Sequence, residues 1–104
     1  MADFAYKGGK LMAEGVPLAR LAAEFGTPFY CYSTAALERQ YRGFAAAFAD
    51  VDAMVCYALK ANSTLAVVCT LPKAGAGAEV VWVGPLRVAH AAGIPPERII
   101  FSGG

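Results

Sequence analysis

Lys60 has the clearest chemical potential in this sequence because of what precedes it. Residues 53–59 (AMVCYAL) are apolar without alternation, the pattern of a strand buried on both faces, as in a parallel sheet. Lysine is seldom fully buried unless it has a partner. Here it would stand at the C-terminal end of that strand, where open α/β sheets and β/α barrels bind their ligands. A lysine in a desolvated pocket loses proton affinity and becomes a nucleophile toward carbonyl groups. Schiff-base formation with an aldehyde is the chemistry such an amine suits. The plainer alternative is a strand-end lysine whose ammonium reaches water along its methylene stem.

The other reactive side chains offer less. Cys31, Cys56 and Cys69 are odd in number, form no C-x-x-C pair and each sit in an apolar run, so they read as buried free thiols. His90 is the single histidine. A zinc site needs about four ligands, so no metal site is expected, and His90 reads as a helix-surface or partly packed side chain. Tyr30, Tyr32 and Tyr57 read as packing residues with a polar tip.

These residues need elements to hold them. Residues 1–16 read as a short hairpin turned by Lys7-Gly8-Gly9-Lys10, whose glycines are free to take positive φ. Pro17 opens a helix whose Leu18, Leu21, Ala22 and Phe25 share one face, and Gly26 ends it. Residues 28–33 (PFYCYS) are short and aromatic-rich, which predicts a strand. Ser33 or Thr34 caps the next helix, along which Leu37, Tyr41, Phe44 and Phe48 form a stripe. After the 53–59 strand come a helix over 64–74 containing Pro72, a strand over 78–82, a helix over 85–92 opened by Pro85, and a strand over 99–101. From residue 34 the order is α-β-α-β-α-β, which predicts a parallel sheet with right-handed crossovers. Three strands cannot close a barrel that takes about 250 residues. The last strand has no following helix, so the chain reads as an incomplete copy of a larger fold.

Composition narrows the class. The 104 residues are 58% hydrophobic and 16% charged, with a net charge of +1 and no basic run. That balance excludes disorder and argues against nucleic-acid or anionic-membrane partners. The longest apolar run falls far short of the ~20 residues of a spanning helix. Residues 1–4 carry no basic or apolar leader pattern, so a cytoplasmic location is expected.

Residues 52–63 (DAMVCYALKANS) resemble the cofactor-lysine segment of the pyridoxal-phosphate-dependent decarboxylases built on an alanine-racemase-type barrel, and most closely the diaminopimelate decarboxylases. Residues 26–33 (GTPFYCYS), 75–81 (GAGAEVV) and 91–103 (AAGIPPERIIFSG) resemble other segments of that family. The resemblance covers nearly all of this chain but only the N-terminal minority of a family member. It implies an α/β fold: about three strands of a pyridoxal-phosphate-binding (β/α)8 TIM barrel, preceded by a β hairpin segment. Residues 1–33 would belong to the family's second, β-rich domain and 34–104 to the first barrel units. Lys60 would be the catalytic, cofactor-bound lysine and Glu79 a second cofactor-binding residue. The implied reaction is decarboxylation of meso-diaminopimelate to L-lysine, in a homodimer when full length, with this chain inactive alone.

The sequence departs from the family pattern at one end of the second barrel strand. The family usually has aspartate where Glu79 stands, and serine-glycine-glycine-glutamate-leucine where this chain reads Trp82-Val83-Gly84-Pro85-Leu86. Three alternatives remain open: a non-catalytic remnant or interaction fragment, an ornithine or arginine decarboxylase, or an amino-acid racemase or single-barrel relative.

Overall fold

Gly8 and Gly9 both take positive φ, 57° and 77°, the pairing a tight two-residue hairpin turn requires. In the computed structural model, which describes residues 3–103, this turn joins β1 (Phe4–Lys7) to β2 (Lys10–Ala13), with Phe4 opposite Ala13 and Lys7 opposite Lys10. A second turn through Glu14 and Gly15 adds β3 (Val16–Pro17), antiparallel to β2. The hairpin expected over 1–16 is therefore a three-stranded meander, and its residues 1 and 2 lie outside the described residues. The chain divides into two compact units, Met1–Ala36 and Leu37–Gly104.

In the first unit, α1 (Leu18–Phe25) follows Pro17, and the Gly26 N–H closes it onto the Ala22 carbonyl at 2.9 Å. The strand expected over residues 28–33 does not form. Aromatic enrichment favours strands only where the rings pack on a half-buried pleated surface. Here Tyr30 is 89% exposed, and Tyr30 and Tyr32 stack on each other at 6.3 Å, so these two tyrosines are not the packing residues expected. Ser33 is buried and supplies the cap of α2 (Thr34–Ala46). Its hydroxyl donates to a Glu14 carboxylate oxygen at 2.8 Å and accepts the Ala36 N–H at 3.0 Å.

The second unit alternates β4 (Cys56–Ala58), α3 (Leu65–Ala74), β5 (Gly77–Val80), α4 (Val83–Ala91), a 3-10 turn at Pro96–Arg98 and β6 (Ile99–Phe101). The three strands are parallel in the order β4-β5-β6. Pairing aligns Ala58 with Glu79, and Glu79 with Ile100. Side chains alternate along a strand, so one sheet face carries Tyr57, Ala78, Val80 and Ile99. These join Leu59, Val68, Ala89 and Ile94 in a buried cluster against the helices. The opposite face carries Cys56, Ala58, Glu79 and Ile100, and Ile100 is 46% exposed.

Three expectations change here. β4 is shorter than 53–59 and half-buried rather than buried on both faces: its register puts Cys56 and Ala58 on the face opposite the buried cluster. β5 ends at Val80, which puts Trp82 outside the strand, and α4 begins two residues before the buried Pro85. The three cysteines are free and half-buried, not buried. Among the described residues no helix is long and apolar enough to cross a membrane.

Gly77 is set by close approach. A Cβ there would lie 2.7 Å from the Arg98 carbonyl oxygen and 2.8 Å from Cys56 Sγ. The backbone oxygen cannot move aside cheaply, so Gly77→Ala is expected to destabilise the second unit by about 1–3 kcal/mol, as overpacking does. A lower urea midpoint at unchanged slope would show it.

Candidate active site

The backbone directly after β4 sets the position of Lys60. The Leu59 N–H donates to the Glu79 carbonyl at 3.1 Å, which extends the β4–β5 pairing one step past the strand. The chain then turns: the Ala61 N–H donates to the Ala58 carbonyl at 3.1 Å, closing a four-residue turn with Lys60 at its third position. Leu59 is fully buried in the core and anchors the turn from below. Asn62 Oδ1 accepts the Thr64 N–H at 3.0 Å, and the Thr64 carbonyl accepts the Val68 N–H at 3.0 Å, which leads into α3.

Lys60 thus stands where the sequence puts it, at the C-terminal end of the first parallel strand. Its surroundings differ from the expectation. The residue is exposed rather than desolvated. Glu79 is half-buried on the neighbouring strand, opposite Ala58 in register. The fold brings the two residues to one sheet, yet among the described residues they form no ion pair.

Glu79 does act on a third group. Burial pushes the Cys56 thiol above its ordinary value; Arg98 opposes the shift and Glu79 adds to it. The folded chain therefore holds this proton more tightly than the unfolded chain. Its contribution to stability is complete below the ordinary thiol pKa and is lost as pH rises through the folded pKa. Alkylation of Cys56 by iodoacetamide should accelerate at higher pH than alkylation of cysteine in an unstructured peptide. Coincident pH profiles would contradict this.

At the same end of the sheet, Trp82 is extended (φ −160°, ψ 176°) and 60% exposed. Its ring covers the first turn of α4 so closely that a Cβ on Gly84 would collide with it. Val83 is also exposed, while Pro85 is buried inside the helix. Within the first helical turn Pro85 removes an N–H that has no helical partner in any case, so α4 tolerates it. His90 is exposed on α4, where with Leu86, Arg87, Pro96, Ile99 and Phe101 it lines a hollow of about 510 Å³ that does not include Lys60. Sequence reasoning missed one contact: the Tyr57 hydroxyl donates to the Asn62 carbonyl at 2.7 Å. A side chain bonding to backbone five residues on has no sequence signature.

The sequence profile described as "pyridoxal-dependent decarboxylase, pyridoxal binding domain" matches residues 18–104. The chain belongs to this family. It is 48% identical over 103 residues to the diaminopimelate decarboxylase of Pseudomonas aeruginosa, covering 99% of this chain and 25% of that protein. The Vibrio cholerae diaminopimelate decarboxylase is 48% identical over 95 residues. Among solved structures, an Aquifex aeolicus protein superposes with a TM-score of 0.92 at 44% identity, covering 98% of this chain and 25% of the other. The M. jannaschii diaminopimelate decarboxylase, solved in complex with L-lysine, gives 0.91 at 34% identity, covering 97% and 25%. The hairpin and α/β elements are thus the N-terminal part of a pyridoxal-dependent decarboxylase fold, and pyridoxal phosphate is the cofactor this family implies. The chain spans about a quarter of the length of the curated relatives it matches.

Proposed function

We propose that this chain supplies the cofactor lysine and first three barrel strands of an enzyme that decarboxylates meso-diaminopimelate to L-lysine. The observation that carries the reading is the placement of Lys60: an exposed primary amine at the C-terminal end of β4, in a turn fixed on both sides by hydrogen bonds. Those features fit a pyridoxal aldehyde, which needs a reachable amine and open space beside it. Ala58, two residues before Lys60, places only a methyl group on the open face.

In this reading Lys60 holds the cofactor covalently and yields it to the incoming amino acid. Glu79 supplies a carboxylate on the same sheet. The chemistry that pyridoxal phosphate supplies when bound is an electron sink for the carbon that loses carbon dioxide. Residues 1–33, with their antiparallel meander, would join a second, β-rich domain, and 34–104 would begin the barrel. The complete enzyme would be a cytoplasmic homodimer.

The test is a chimera in which this chain replaces the matching first quarter of the Pseudomonas aeruginosa enzyme. Lysine production from meso-diaminopimelate is the expected result. A folded chimera that takes up no cofactor would favour the non-catalytic reading, for which the exposed Trp82 at the cofactor end of β5 is the specific observation.

A further inference from the structure

Tyr57 has two separable parts. Its ring packs against the buried cluster of Leu59, Val68, Ala78 and Val80, and a phenylalanine ring would fill nearly the same volume. Its hydroxyl does something phenylalanine cannot, donating a 2.7 Å bond to the carbonyl oxygen of Asn62. That bond spans the turn containing Lys60. The upstream side of the turn is already held by the Leu59 N–H on the Glu79 carbonyl and closed by the Ala61 N–H on the Ala58 carbonyl, both at 3.1 Å. The Tyr57 bond ties the downstream side back to the strand on which the turn begins. Lys60 itself is exposed, so the backbone of this turn sets the direction of its Cα–Cβ bond, from which the amine extends on a flexible four-carbon stem.

We propose that Tyr57 is a positioning residue, whose hydroxyl holds the turn after β4 in the conformation that presents Lys60 at the C-terminal end of that strand. The consequence for reactivity rests on the reading of Lys60 as the cofactor anchor. In that step the unprotonated amine nitrogen bonds to the aldehyde carbon of pyridoxal phosphate and water leaves. Added borohydride then delivers hydride to that carbon and makes the link permanent. An amine spread over many orientations adds less often than one held in place.

The experiment compares the wild-type chain with Tyr57→Phe and Val68→Ala, the second loosening the same core from α3 while keeping the Tyr57 hydroxyl. Amide hydrogen exchange is read first, without cofactor. In Tyr57→Phe the Ala61 and Thr64 amides should exchange about fivefold faster, the scale of one net hydrogen bond, while the Gly77 and Ser102 amides of the sheet stay unchanged. The ratio of borohydride-fixed pyridoxyl label at Lys60 to that at Lys73 is read second. It should fall about fivefold in Tyr57→Phe, on the same scale, and hold in Val68→Ala, a contrast that a merely structural role would not produce. Unchanged exchange at Ala61 and Thr64 overturns the proposal. So does a ratio that Val68→Ala lowers equally, or that Tyr57→Phe leaves intact in a chain that prefers Lys60. If the wild type labels Lys60 no better than Lys73, the anchor reading fails, and the exchange data alone decide whether Tyr57 orders the turn.

Discussion

Lys60→Arg in the chimeric enzyme is expected to lower decarboxylation by roughly 10³-fold or more, the scale on which an enzyme loses activity with its covalent nucleophile. The substitution keeps a positive charge at the end of β4. It removes the chemistry, because a guanidinium stays protonated at any working pH and cannot condense with an aldehyde. The Leu59 and Ala61 backbone bonds that frame position 60 involve no atom of Lys60, so the fold should survive, and a circular dichroism spectrum matching the parent would confirm it. Retention of most of the activity would mean that another residue holds the cofactor.

Leu59→Ala should have the largest effect on stability. Leu59 is fully buried, among the largest side chains so enclosed, and packs in the buried cluster of the second unit. Truncating such a leucine costs about 2–5 kcal/mol, the lost transfer energy plus the cavity left behind. In a domain of this size each kcal/mol lowers the melting temperature by roughly 4–8 °C. The position matters for function as well, since Leu59 is the residue that fastens the Lys60 turn to the core. A loss under about 1 kcal/mol, measured by urea denaturation, would show that the core collapses around the gap and that the turn is not anchored there.

Much of this architecture was legible in the residues because apolar pattern and punctuation agreed. The run before Lys60, the glycines at 75 and 77 and the alternation of helix and strand signals placed all three parallel strands and the lysine at a strand end. What failed did so for physical reasons. Residues 28–33 have the composition of a strand, but strand preference reflects a packed surface more than the backbone, and Tyr30 and Tyr32 found only each other. The 53–59 run implied two covered faces, but β4 is half-buried along its length. Hydrophobicity extends the second parallel strand to Trp82, but its ring lies on Gly84 at the start of α4. The second antiparallel turn and β3 were illegible because Val16–Pro17 is two residues long, too short for any periodicity. Ser33 and Thr34 offer the cap equally in sequence; the burial of Ser33 and its bond to Glu14, nineteen residues earlier, come only from the fold.

The most direct measurement on the central claim needs only this chain, pyridoxal phosphate and borohydride. After reduction and proteolysis, mass spectrometry reads the pyridoxyl label at each of Lys7, Lys10, Lys60 and Lys73. A dominant adduct at Lys60 is the predicted result. Label spread evenly over the four lysines would contradict the assignment of Lys60 as the cofactor anchor.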